Sequence, residues 1–309
     1  MSSNTQLERK RAPARWQADL TLAFVAFMWG TTFVVIKNAL ADSSTVYFLA
    51  LRFAIGTVCM LPLFLRGIRS MREPWWSGLG SGAAAGVFLW LGFMLQTFGL
   101  RFTTASHSGF LTSLYIVGVP IVSAILYRNW PGRYELGGVA LAGAGIMWLT
   151  KPPGTEPFHL NGGDLLTIAS AVAFAFHIVV LGHVAQKERV AAVAIGQIGC
   201  AALLSTLSLP FEPPQVKWSN NVIWGLLITG VLATAAAFGL QTWVQKYTSA
   251  TRAALIFSLE PVFAVLTATA VGGEPLTLGT LGGGALILTG ILCVELKPGS
   301  KAVDAEAAD

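Results

Sequence analysis

Apolar residues run through this chain in blocks of about twenty, and charged or turn-forming residues gather between the blocks. Ten such blocks stand out: 18–37, 46–65, 77–99, 105–127, 134–150, 164–184, 191–210, 222–243, 251–271 and 277–295. A helix needs roughly 20 mostly apolar residues to cross a hydrocarbon core about 30 Å thick. Stretches such as Val34-Val35-Ile36 and Ala83 to Leu91 stay apolar without alternating, whereas barrel strands alternate apolar and polar positions. Unpaired backbone groups cannot face lipid. The pattern therefore predicts an all-α membrane protein with ten transmembrane helices.

Composition agrees. Only 11% of the 309 residues are charged and the mean hydropathy is +0.65, while a soluble domain carries about a quarter charged residues. The position of the charges adds orientation. With ten crossings, one set of loops holds Arg9, Lys10, Arg11, Arg15, Arg66, Arg69, Arg72, Arg128, Arg133, Lys187, Arg189, Lys246, Lys297 and Lys301. The other set holds only Lys37, Arg101, Lys151 and Lys217. Cytoplasmic loops are the basic ones, so both termini are expected in the cytoplasm of a bacterial-type inner membrane. The basic head, apolar run and Ala39-Leu40-Ala41 also resemble a cleaved signal peptide, but the run is long for that role. Cys59, Cys200 and Cys293 fall inside apolar blocks far apart in sequence, and they read as small core residues.

An internal repeat changes the picture most. Phe93 to Ala105 recurs as Phe238 to Ala250, with Gln96-Thr97 returning as Gln241-Thr242 at an offset of 145. The same offset pairs Asp19-Leu20 with Asp164-Leu165, Ser113-Leu114 with Ser258-Leu259, Gly137-Gly138 with Gly282-Gly283, and Gly145-Ile146 with Gly290-Ile291. The chain thus divides into a tail 1–17, a five-helix unit 18–150, a second unit 164–296 and a tail 297–309. Five crossings is an odd number, so the second unit must enter the membrane from the opposite side. Such a 5+5 inverted repeat is the architecture of secondary transporters, with the substrate site near mid-membrane between the halves.

Several motifs carry a resemblance. Trp29-Gly30 with Phe33, and Leu51-Arg52-Phe53, occupy the first two blocks. Thr248-Ser249-Ala250 leads to Leu259-Glu260-Pro261-Val262-Phe263-Ala264, and Gly273-Glu274-Pro275-Leu276-Thr277 runs into Gly282 to Gly290. Together they resemble the EamA-type branch of the drug/metabolite transporter superfamily, from about 19 to 296. The resemblance implies a ten-helix basket that moves small polar metabolites, often exporting amino acids or related compounds. It also implies that helices 1, 3, 4, 6, 8 and 9 line a central cavity while 5 and 10 pack at one edge. One departure is informative: Tyr115-Ile116 stands where the second unit has Glu260-Pro261.

The candidate substrate pathway is Trp29, Phe93, Gln96, Phe110, His177, Phe238, Gln241 and Glu260. Glu260 lies near the middle of the ninth block, where an ionised group is unfavourable and a functional role is the default hypothesis. It can take and release protons in a transport cycle, or hold a kink at Pro261. Arg52 either snorkels to the outer interface or meets an anionic substrate or a carboxylate. Gln96 and Gln241 bond a substrate or join helices. His177 is a coupling site or a bonded packing residue. Arg252, near the start of its helix, is assigned to the cytoplasmic face. The aromatic residues Trp29, Trp90, Phe93, Phe110, Phe174, Phe238 and Trp243 form cavity walls or only pack. Trp75, Trp76, Trp130 and Trp218 read as interface anchors.

Other classes fare worse. His107, His159, His177 and His183 show no metal-like pairing, and capping explains Asp164 at a helix entrance. No catalytic or metal site and no cofactor is therefore expected. No Walker-type Gly-Lys-Ser/Thr occurs, so active transport would run on a gradient without an ATPase subunit. The expected partners are a small-molecule substrate and the lipid bilayer, with no nucleic acid; a homodimer stays open. An intramembrane enzyme and a channel are the alternatives to a carrier.

Overall fold

The computed structural model describes residues 13–69, 76, 78–149, 161–271 and 278–295. The Gly273 to Thr277 motif, Trp75, His159 and most of both tails lie outside the described residues. Most of the described residues are helical: α1 Arg15–Ala39, α2 Thr45–Arg69, α3 Leu79–Phe102, α4 Ala105–Thr112, α5 Tyr115–Tyr127, α6 Arg133–Leu149, α7 Gly162–Lys187 and α8 Val190–Leu207. A π-helical segment, Ile228–Ala236, joins α9 Asn220–Leu227 to α10 Ala237–Gln245. After these come α11 Ala250–Phe257, α12 Glu260–Ala270 and α13 Leu278–Glu295.

Eight spans among the described residues are long and apolar enough to cross a bilayer. They are α1, α2, α3, α4–α5, α7, α8, α9–π–α10 and α11–α12. The blocks at 134–150 and 277–295 give α6 and α13, of 17 and 18 residues, which do not meet the same criterion. At 1.5 Å per residue a helix of 17 residues reaches about 25 Å, near the lower limit for a crossing. These two helices pack on one another. A methyl placed on Gly145 would lie 2.6 Å from the Gly283 carbonyl, and one on Gly290 would lie 2.6 Å from the Gly138 carbonyl.

The outer surface of the bundle is apolar. Phe24, Val58, Leu63, Ile125 and Leu203 are all more than half exposed, as residues facing lipid are. Trp76, Trp130 and Trp218 are exposed as well. Cys59 and Cys293 lie on exposed helix faces, so the expectation that they sit in the core is corrected. The largest cluster of the interior is where Leu22, Val25, Phe53, Leu89, Phe93, Phe174, Ile178, Phe238 and Phe257 meet. Without a hydrophobic drive between helices in lipid, close backbone approach holds such a bundle together. Gly82 and Gly86 of α3 face the backbone of Val193 and Gln197 of α8, and no side chain would fit there.

Three spans are not continuous α-helices. One carries the π-helical segment; the α4–α5 span breaks after Thr112 and restarts at Tyr115, and the α11–α12 span breaks after Phe257 and restarts at Glu260. The breaks fall on the repeated dipeptides Ser113-Leu114 and Ser258-Leu259. Each serine turns its hydroxyl back into the preceding turn: Ser113 donates to the Gly109 carbonyl and Ser258 to the Leu255 carbonyl. Such back-bonding competes with the helix ladder. Pro261 sits in the first turn of α12, where its missing N–H is harmless. The expected kink at Pro261 is thus a break and a new helix start.

The two ends of the bundle are fastened differently. Beyond the C-terminus of α1, Ser43 forms an antiparallel bridge with Val216. Lys217 N–H donates to the Asp42 carbonyl and Ser44 N–H to the Gln215 carbonyl, both at 2.8 Å. Arg101 reinforces this clasp, donating to Thr45 Oγ1 and the Ser43 carbonyl and lying 3.7 Å from Glu212. Near the N-terminus of α1, Arg252 makes a two-point contact with Asp19, at 2.9 and 2.6 Å.

Candidate functional site

A cavity lies inside the bundle. α1 contributes Trp29, Thr32, Phe33 and Ile36; α2 contributes Arg52; α3 contributes Phe93 and Gln96. Thr112 and Tyr115 flank the break between α4 and α5. α7 adds Phe174, His177 and Ile178, α10 adds Phe238 and Gln241, and Glu260 begins α12. Seven of the eight pathway candidates therefore meet at one place: Trp29, Phe93, Gln96, His177, Phe238, Gln241 and Glu260. Phe110 does not join them. It packs with Ile116, Val139, Leu255, Val265 and Ile287 in a separate apolar cluster. The periodicity of a helix that is buried all round does not say which face meets a cavity.

Glu260 is buried, and Tyr115 donates its phenolic hydrogen to Glu260 Oε2 at 3.1 Å. These two residues are 145 positions apart, the repeat offset. Each follows a helix break, so a residue and its own repeat counterpart touch in the cavity wall. Gly30 makes the approach of α1 to this point feasible. A methyl there would lie 2.5 Å from the Glu260 carbonyl and 2.7 Å from Phe263 Cβ.

Arg52 is 1% exposed, which corrects the snorkelling alternative. Its Nε donates to Thr234 Oγ1 at 2.9 Å, and its guanidinium lies 4.3 Å from the centre of the Phe93 ring. Nη1 has no hydrogen-bond partner among the described residues. A cation over an aromatic face gains attraction from the ring quadrupole, but that leaves the N–H unsatisfied. On the other wall, Gln241 donates to Gln245 at 2.9 Å, and its Oε1 lacks a partner among the described residues. Each buried polar group without a partner is destabilising by about 1–3 kcal/mol. A bound molecule that supplied an acceptor to Arg52 and a donor to Gln241 would recover that free energy.

The other polar side chains of the cavity wall have partners. Gln96 donates to Thr112 Oγ1 at 3.0 Å, joining α3 to α4. Gln197 donates to Thr242 Oγ1 at 2.8 Å, and its carbonyl oxygen lies 2.7 Å from His177 Nε2. Read with that amide orientation, Nε2 carries the hydrogen, and His177 is bonded on the side away from the cavity. Asp164 closes a reciprocal cap with Asn161 at the start of α7. Among the described residues no three His, Cys, Asp or Glu side chains converge on one point. Sequence reasoning did not place Thr32, Phe33, Ile36, Thr112 or Ile178 in the wall. Only Tyr115 carried a signal, as the position opposite Glu260 in the repeat.

The aromatic walls are tightly arranged. Trp29 packs against Phe238 and Phe257 with ring centres 5.1 Å apart, and Phe93 meets Phe174 edge-on at 5.2 Å. The indole Nε1 of Trp29 donates to the Ala233 carbonyl at 3.0 Å. The site thus combines apolar and aromatic sides with a few fixed polar groups, as small-molecule sites do.

Known proteins resemble this chain over most of its length. The sequence profile described as the EamA-like transporter family matches residues 16–151 and again 161–296. An "uncharacterized transporter" of Archaeoglobus fulgidus is 37% identical over 283 residues, covering 92% of this chain and 87% of that protein. The "uncharacterized transporter YoaV" of Bacillus subtilis is 24% identical, covering 88% and 94%. A solved crystal structure superimposes with a TM-score of 0.74 at 20% identity, covering 91% of this chain and 98% of that one, which speaks to the fold. The two profile matches coincide with the two halves that meet at Tyr115 and Glu260, and the chain belongs to the EamA-like transporter family of multi-pass membrane proteins.

Proposed function

We propose that this protein is a secondary transporter of small amino-acid-like metabolites, working as an exporter by alternating access across a bacterial-type inner membrane. The carrying observation is the central cavity. It places a buried guanidinium with a spare N–H, a buried carboxyl and an aromatic lining beside two helix breaks. Broken helices at mid-membrane are where transporters of inverted-repeat design bind their substrates. In this reading Arg52 receives the acidic group of the substrate, Gln241 Oε1 accepts a hydrogen bond from a donor elsewhere on that molecule, and the aromatic walls take its side chain.

The contacts support an inverted relation between the halves. Gly145 faces Gly283 while Gly290 faces Gly138, and Gly30 faces Phe263 while Ala175 faces Gly118. Adding 145 to one member of each first pair and subtracting it from the other yields the second pair. Such reciprocal contacts are what a two-fold relation produces. With five crossings per unit, α6 and α13 included, the axis lies in the membrane plane and both termini face the cytoplasm. Glu260 is the group that carries the proton.

The test is a transport screen. The purified protein in proteoliposomes is offered labelled amino acids and related compounds, with and without an imposed pH gradient. Saturable movement of a small set of compounds, concentrated by the gradient, is the expected result. Flux that rises linearly with concentration would instead favour a channel.

A further inference from the structure

Arg52 and Gln197 occupy equivalent positions in the two units, yet the protein treats them differently. Gln197 has its amide engaged at both ends, by His177 and Thr242. Arg52 is held at Nε alone, and Nη1 is left over. The holder is Thr234, and it belongs to the π-helical segment Ile228–Ala236. The corresponding span of the first unit, α3, is α-helical throughout Leu79–Phe102.

A π-helix lengthens the i→i+4 ladder to i→i+5, which turns the residues after the insertion and loosens the carbonyls. Two successive residues of the segment use this. The Ala233 carbonyl accepts from Trp29, and the Thr234 hydroxyl accepts from Arg52. Both partners come from the first unit and both line the cavity. The seam itself is cut to fit. A methyl on Gly56 would lie 2.6 Å from Thr234 Cγ2, and one on Gly230 would lie 2.8 Å from Ile55 Cγ2 and 3.2 Å from the Arg52 carbonyl. Thr234 is fully buried and does not line the cavity, so it acts on any ligand only through Arg52.

We propose that Thr234, set by the π-helical segment, is a positioning residue that fixes the Arg52 guanidinium so that Nη1 selects an anionic group on the transported molecule. With Nε tied to Thr234 and its carbon 4.3 Å from the centre of the Phe93 ring, the guanidinium is held from two sides, with no carboxylate partner among the described residues. A carboxylate partner would have neutralised it and removed the selectivity. The fork geometry of arginine rewards such fixation, because selection of a planar oxyanion depends on the direction of its N–H groups. This inference rests on the proposed role of Arg52 as the substrate's anion site.

The experiment measures equilibrium binding of labelled phenylacetate, with phenylacetamide as the neutral competitor of the same shape, on the full chain in nanodiscs. Wild type is expected to prefer the anion. Thr234→Val keeps the shape and removes the hydroxyl. Its preference should fall by about tenfold, the factor in an equilibrium constant that a lost charge-assisted hydrogen bond carries. Thr234→Ser should restore it, and Arg52→Met should abolish it. If the valine variant fails to fold, Thr234→Ser against Thr234→Ala makes the same comparison. A hydroxyl-free variant with wild-type preference beside an Arg52→Met variant without it would overturn the positioning role and leave the anion site standing. If wild type shows no preference, or Arg52→Met retains it, the anion site itself falls and the inference falls with it.

Discussion

Among single residues, Glu260 is central to the proposed transport cycle. Its carboxyl is buried, touches its own repeat counterpart Tyr115, and begins a helix beside the cavity. Glu260→Gln keeps the size and can still accept from Tyr115, but it cannot titrate. Substrate exchange without a gradient should survive in this variant, and accumulation driven by a pH gradient should be lost. A proton-coupled wild type whose Glu260→Gln variant still concentrates substrate would make Glu260 a structural residue. Much about Glu260 was legible in the sequence, because an acid within an apolar block is rare. Its partner was not: a repeat offset says which positions are equivalent and is silent on whether they touch. Arg52 was legible only as a choice between two environments, since snorkelling and burial leave the same local pattern. The contact with Thr234, far away in sequence, decides between them.

Element boundaries follow the hydropathy blocks within a few residues, but the interruptions do not show in hydropathy. Ser113-Leu114 and Ser258-Leu259 are as apolar on average as a helix interior tolerates, so they appear as repeated dipeptides and not as breaks. The π-helical segment is invisible for the same reason, because Ile228 to Ala236 is apolar or small throughout. Glycine positions were legible as close-approach sites, and they yield a sharp contrast. Gly30→Ala would press a methyl against the Glu260 carbonyl at 2.5 Å, which neither backbone can relieve cheaply. A loss of about 1–3 kcal/mol is expected from such overpacking, read as a lower melting temperature in detergent. Gly80, in the second position of α3, has nothing within 4 Å of an added methyl. Gly80→Ala should be neutral or stabilising by up to about 1 kcal/mol, the difference in helix propensity. Equal melting temperatures for the two variants would contradict the close approach of α1 to the break before α12.

At the scale of the molecule, the duplication was the most legible feature, because a gapless offset preserved Gln-Thr in both copies and the family profile matches twice. The number of crossings was less so: α6 and α13 are glycine-rich helices of 17 and 18 residues that mate with each other, at the margin of the length a crossing needs. Alternating access requires that the two ends of the bundle open in turn, and the clasp at Ser43 and Val216 is the fastening at one end. These residues form the pair flanked by hydrogen bonds on either side. Their Cα atoms should thus be about 4.5 Å apart, within the range a disulfide accepts. The most direct measurement is exchange of a labelled substrate from the screen in proteoliposomes of the Ser43→Cys/Val216→Cys variant, before and after oxidation. The account predicts saturable uptake that unlabelled substrate inside the vesicles accelerates, that oxidation abolishes and that reduction restores. Uptake that ignores internal substrate and persists after complete disulfide formation would contradict it.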